Sequence, residues 1–133
     1  MPNGSDVTRT RDAPTVLLVE NNDAMRALIR DLVEPIAGTI HECQDGMAAV
    51  QAYGRLRPDW VLMDIGMDGL DGIAATRAIR QLDPHARIII VTEHGGDDFR
   101  RASKTAGACG FVLKRDLLDL PALVATFVDG GEE

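Results

Sequence analysis

Four short, nearly continuous apolar runs and a weaker fifth, spaced by longer segments of helical period, constrain this chain more than any other feature. Thr15–Val19, Trp60–Met63, Arg87–Thr92 and Gly110–Leu113 are too short for stable helices and too continuous for strands with one wet face, and Thr39–Cys43 is a weaker run of similar length. Such runs belong to strands covered on both faces, and parallel strands need a crossover, usually a helix, between them.

The intervening segments supply those helices. After Asn22 or Asp23 as a cap, Met25, Leu28, Ile29, Leu32 and Val33 recur at helical spacing until Pro35, whose ring cannot continue the ladder. Asp45-Gly46 opens an Ala-rich helix through Met47, Val50, Tyr53 and Leu56, closed by Pro58. A loop with Gly66, Gly69 and Gly72 leads into a helix of Ile73, Ala74, Arg77 and Ile79. A weakly amphipathic helix carries Phe99, Ala102 and Ala106, and the last bears Leu120, Leu123, Val124, Phe127 and Val128. Five β–α units without internal repeat predict an α/β fold with helices on both faces of a parallel sheet.

The length of 133 residues fits one domain. With 45% hydrophobic but only 4% aromatic residues, its core must be aliphatic. Fourteen Lys and Arg against 21 Asp and Glu leave a net charge of −7, which lacks the basic footprint of nucleic-acid or anionic-membrane binding. Cys43 and Cys109 show neither CxxC nor metal-ligand spacing, so a zinc site or disulfide framework is not expected. No run resembles a signal peptide or a membrane span. The expectation is a cytoplasmic protein with a disordered leader (1–14), a polar tail (129–133) and no output domain.

In an open parallel sheet, ligands bind outside the carboxyl ends of the strands, where strand order reverses. The residues at those ends are Glu20 and Asn21, Asp64, Thr92 and Lys114. Two acids, an amide, a hydroxyl and an ammonium suit a hard divalent cation beside a phosphoryl group.

Four segments in order resemble the response regulator receiver domain. Val-Glu-Asn-Asn-Asp-Ala-Met-Arg (Val19 to Arg26) is similar to its acidic loop and helix start, and Leu62 to Gly72 to its phosphoacceptor loop. Ile89 to Thr92 is similar to its switch strand, and Gly107 to Lys114 to the segment that delivers its lysine. The resemblance implies a domain over 15–128, a doubly wound, flavodoxin-like (βα)5 three-layer sandwich with strand order 2-1-3-4-5. It implies phosphorylation of Asp64 by a histidine kinase or phosphotransfer protein in a two-component phosphorelay. Mg²⁺ (or Mn²⁺) would be held by Glu20, Asp64 and the Gly66 carbonyl, Lys114 and Thr92 would contact the phosphoryl group, and Phe111 would act as a rotameric switch, although core packing alone also accounts for it. No turnover beyond self-directed phosphotransfer and autodephosphorylation is implied. Output would pass to a downstream protein target from a monomer or weak dimer, and Cys43 and Cys109 would lie on opposite sheet edges.

The chain departs from the family pattern at several positions. Asn21 replaces the usual second metal-binding acid, which predicts weaker Mg²⁺ binding and slower phosphorylation, with Trp60 fluorescence as the expected reporter. Asp68 and Arg115 stand where proline is common, so a trans bond is expected after Lys114. Glu93 replaces a small residue; it either hinders phosphodonors or supplies the carboxylate that Asn21 lacks. Gly66 and His94 occupy the two positions that tune dephosphorylation. These departures motivate an alternative, a degenerate pseudo-receiver that binds proteins without phosphorylation. Other chemistries fit worse: Asp64-x-Gly66-x-Asp68-Gly69 has Ala75 where a calcium loop needs glutamate, and no GxxxxGK or GxGxxG cradle is present. A haloacid-dehalogenase-like phosphatase would need an aspartate where Gly66 stands.

Overall fold

A computed structural model describes residues 13–66 and 71–130. The first strand, β1 (Thr15–Val19), is followed by α1 (Asp23–Val33) and a 3₁₀ turn (Glu34–Ile36) that contains Pro35. Then come β2 (Thr39–Cys43), α2 (Gly46–Leu56), β3 (Trp60–Met63) and α3 (Asp71–Leu82). The chain continues through β4 (Ile88–Thr92), α4 (Asp97–Ala106), β5 (Gly110–Leu113), a 3₁₀ segment (Lys114–Asp119) and α5 (Leu120–Gly130). All four strand pairings are parallel, in the order β2-β1-β3-β4-β5. This is the expected flavodoxin-like architecture, and its strand order reverses between β1 and β3.

Alternate strand residues serve opposite layers. Leu17, Val19, Val61, Met63, Ile88 and Ile90 face α2, α3 and α4; Val16, Leu18, Trp60, Leu62, Ile89 and Val91 face α1 and α5. Burial on both faces explains why β1, β3 and β4 read as unbroken apolar runs. Strand β2, an edge strand with only intermediate and exposed residues, reads as the weak one for the same reason.

The helix starts follow capping chemistry. Asn22 Oδ1 accepts from the Met25 N–H at 2.8 Å, and Asp45 Oδ1 from the Ala48 N–H at 2.8 Å. Two apolar members of these helical repeats lie outside the core. Leu28 is 47% exposed and Met47 73% exposed. At about 100° per residue, Leu28 stands farthest round from the buried pair Ile29 and Val33, while Met47 lies nearly opposite Ala49 on α2. The buried stripe of α2 is instead Gly46, Ala49, Ala52 and Tyr53, whose small members let it lie close to α3. A Cβ on Gly46 would stand 2.7 Å from the Asp71 carbonyl oxygen, too close for any side chain.

Most of the expected leader, part of the tail, and Met67 and Asp68 lie outside the described residues. The Pro14 carbonyl accepts from the Gly38 N–H at 2.8 Å, and Asp129 and Gly130 continue α5. Cys43 ends β2 and Cys109 precedes β5, at opposite edges of the sheet. Burial pushes the Cys43 thiol up to about 11, which keeps it protonated and unreactive. Among the described residues no peptide bond is cis, that after Lys114 included, and no helix is long and apolar enough to cross a membrane.

Candidate functional site

The carboxyl ends of β1, β3, β4 and β5 deliver Glu20, Asp64, Thr92 and Lys114 to one rim. Lys114 draws the two acids together: its Nζ lies 3.0 Å from Glu20 Oε1 and 3.5 Å from Asp64 Oδ2. These groups are withdrawn from water, with side-chain exposures of 1% for Glu20, 11% for Lys114 and 13% for Asp64. At such burial an ion pair escapes most of the screening that makes surface pairs weak. A cavity of about 260 Å³ opens beside the pair, lined by Asn21, Asp64, Gly66, Glu93, His94 and Lys114.

The β1–α1 loop holds Glu20 from both sides. Its Oε2 accepts from the Asn22 N–H at 3.1 Å, and its own carbonyl accepts from Arg26 Nη1 at 2.8 Å. Arg26 is anchored in turn on Asp23 at 2.7 Å and Glu42 at 3.0 Å. Hydrogen bonds from Arg30 and Arg26 hold the Glu42 carboxyl below its usual range. Sequence reading missed this role of Arg26; the only local signal is its place three residues after Asp23, where the two side chains meet on a helix.

A second missed residue is Gly72, in the first turn of α3. A Cβ there would run into the Asp64 carbonyl oxygen and would stand 2.6 Å from Ile65 Cα. The absent side chain is what allows α3 to lie against the end of β3. Asp64 is therefore braced by backbone contact and by its own N–H, which donates to the Val19 carbonyl at 3.1 Å.

Thr92 is fully buried, and its hydroxyl accepts from the His94 N–H at 3.1 Å. His94 does more than sequence position suggested. Its Nε2 lies 2.6 Å from the Gly66 carbonyl oxygen; since that oxygen can only accept, Nε2 carries the proton and donates. The ring rests on Phe99, with centroids 5.1 Å apart. Asn21 is exposed at the cavity rim, exposed Glu93 lines both this cavity and a neighbouring pocket, and exposed Arg115 lines only the neighbouring one. Phe111 is half-buried against the α2–α4 layer, with the Arg100 guanidinium 4.4 Å above its ring. Trp60 sits at the opposite end of β3 from Asp64, about 13 Å away at ~3.3 Å per residue, so it is a poor reporter of the rim.

The donor set fits a hard divalent cation. Glu20 Oε1 is buried without a hydrogen-bond donor, its contact with Lys114 being an ion pair that is not aligned as a hydrogen bond. Asp64, the Asn21 amide and the Gly66 carbonyl add oxygen donors of the right kind. Among the described residues no three His, Cys, Asp or Glu side chains are placed together to hold a metal, and at this rim the acids are Glu20 and Asp64 beside the amide of Asn21.

Comparison with known proteins agrees with this geometry. Residues 16–125 match the family model described as the response regulator receiver domain. The chain is similar to the chemotaxis protein CheY of Halobacterium salinarum, with 38% identity over 102 residues, 77% of this chain and 85% of that protein. Identity to the chemotaxis protein CheY of Bacillus subtilis is 37% over 103 residues, 77% of this chain and 86% of that protein. Among solved structures, a two-component response regulator of the LuxR family from Aurantimonas sp. SI85-9A1 superposes with a TM-score of 0.82 at 36% identity, covering 89% of this chain and 86% of that one.

Proposed function

Because the chain belongs to the response regulator receiver domain family, we propose that Asp64 accepts a phosphoryl group from a histidine kinase or phosphotransfer protein. The observation that carries this reading is the convergence of Asp64 and Glu20 on the Lys114 ammonium beside an open cavity. A carboxylate oxygen of Asp64 attacks phosphorus while the bond from the donor's histidine nitrogen breaks. The electron pair stays on that nitrogen, which takes up a proton, and Asp64 becomes an acyl phosphate. Lys114 turns from Glu20 toward the new phosphoryl oxygens. The Thr92 hydroxyl gives up the His94 N–H and donates to the same group, and Phe111 follows, displacing Arg100 from its ring.

Glu20, Asp64, the Gly66 carbonyl and the Asn21 amide would hold Mg²⁺, which when bound offsets the negative charge of the transferring group. Output then passes through protein contacts at α4 and β5, where a groove of about 430 Å³ is lined by Arg100, Arg101, Lys104 and Phe111.

Incubation with phosphoramidate and Mg²⁺, followed by intact-mass measurement, tests the proposal. The native protein is expected to gain one phosphoryl mass and Asp64→Asn none. Equal gain in both, or none in the native protein with any small phosphodonor, contradicts it; the latter result favours the pseudo-receiver reading, which Asn21 and the engaged Gly66 carbonyl motivate.

Restoring the missing acid is expected to strengthen the cation site. Asn21→Asp adds a full charge at the rim, where Coulomb attraction at intermediate dielectric is worth on the order of 1 kcal/mol or more. Calorimetric titration is expected to show Mg²⁺ binding roughly five-fold tighter or better. An unchanged dissociation constant would show that residue 21 does not face the cation.

A further inference from the structure

We propose that His94 is a positioning residue that locks the acceptor loop, its ring occupying the Gly66 carbonyl oxygen that a bound cation would need. The inference rests on the reading of Glu20 and Asp64 as the cation and acceptor site, and it adds the regulation of that site. Three observations carry it. The Nε2 to oxygen distance of 2.6 Å is at the short end for a nitrogen donor. His94 and Gly66 belong to the wall of the same cavity as Asp64, Asn21 and Lys114, the space a cation held by these residues would enter. The ring is also held in place, by Phe99 at 5.1 Å and by a backbone N–H bonded to Thr92 Oγ1 at 3.1 Å.

Gly66 is what makes the lock possible. Its φ of +86° is a conformation that side-chain-bearing residues rarely adopt, and in it the carbonyl meets the imidazole. His94 therefore ties two elements that must rearrange together. Its ring holds the loop after β3, and its backbone holds the hydroxyl of Thr92 on β4. A cation taking the Gly66 carbonyl displaces the ring, and displacement of the ring loosens the segment that restrains Thr92. Cation binding then prepares the threonine for its later contact with the phosphoryl group.

The test is Mg²⁺ titration of the full chain by calorimetry, with Glu20→Gln as the control for the site. Removing the ring donor by His94→Ala is expected to tighten Mg²⁺ binding about three- to ten-fold, the equivalent of one carbonyl hydrogen bond. His94→Leu, which keeps apolar bulk against Phe99, is expected to change affinity in the same direction if the alanine variant proves unstable. In the native protein, the His94 Nε2 nitrogen resonance is expected to move as Mg²⁺ is added. Equal or weaker binding in both His94 variants, no measurable binding in the native protein or either His94 variant, or a resonance that stays still overturns the lock. Phosphoramidate separates this failure from that of the underlying reading. A phosphoryl mass gain with unchanged Mg²⁺ affinity overturns the lock alone, whereas no mass gain in native or variant protein at saturating Mg²⁺ overturns the assignment of Asp64.

Discussion

Replacing Lys114 with methionine is expected to lower stability by about 3 kcal/mol, read as a fall in the urea midpoint at unchanged slope. The Lys114 ammonium is paired with two carboxylates that are 1% and 13% exposed. Methionine matches the length of its stem but leaves both acids facing each other in a site with little water. Removing one partner of a buried pair exposes the desolvation cost of the other, which is why the effect exceeds that of a surface ion pair. The same change should make the protein depend on divalent cations. Mg²⁺ then replaces the missing charge, so saturating Mg²⁺ is expected to raise the melting temperature of Lys114→Met more than that of the native protein. Equal shifts would mean that Lys114 and the cation do not compete for Glu20 and Asp64.

Gly72→Ala is expected to cost as much, about 3 kcal/mol, for a different reason. The added methyl meets backbone atoms of Asp64 and Ile65, with Ile65 Cα at 2.6 Å, and backbone cannot turn aside as a flexible side chain can. Either α3 moves away from the end of β3 or the Asp64 peptide shifts. Both loosen Asp64. Phosphorylation by phosphoramidate is therefore expected to slow along with the loss of stability, whereas Gly54→Ala, on the open face of α2 with nothing within 4 Å, is expected to leave both unharmed. A stable Gly72→Ala protein with native phosphorylation kinetics would show that the contact is not needed.

The legible parts of this molecule are those written in periodicity and in strand ends. β1, β2, β3 and β5 begin and end where their apolar runs do, because burial on both faces or pairing at an edge leaves few other arrangements. Glu20, Asp64, Thr92 and Lys114 could be found because each ends a run, and a parallel sheet gathers such ends on one rim. What stayed hidden depends on contacts across the fold. Leu28 and Met47 read as core from spacing, yet the width of the buried stripe is set by how closely α1 meets the sheet and α2 meets α3. Arg26 looked like an ordinary helix residue until its reach back to the Glu20 carbonyl was seen. The bond of His94 to Gly66 joins positions 28 residues apart and has no sequence signature. Gly72 stood out only as one glycine among several, since close approach is a property of the neighbour and not of the residue.

The central claim is that Asp64, rather than another of the acids around the β3–α3 loop, becomes covalently phosphorylated. Borohydride reduction of the phosphorylated protein, followed by peptide mapping, tests it directly, because an acyl phosphate on aspartate is reduced to homoserine while unmodified carboxylates survive. Homoserine is expected at position 64 and nowhere else, with none formed when Mg²⁺ is withheld. Homoserine at Asp68 or Asp71, or no homoserine in protein that has gained phosphoryl mass, would contradict it.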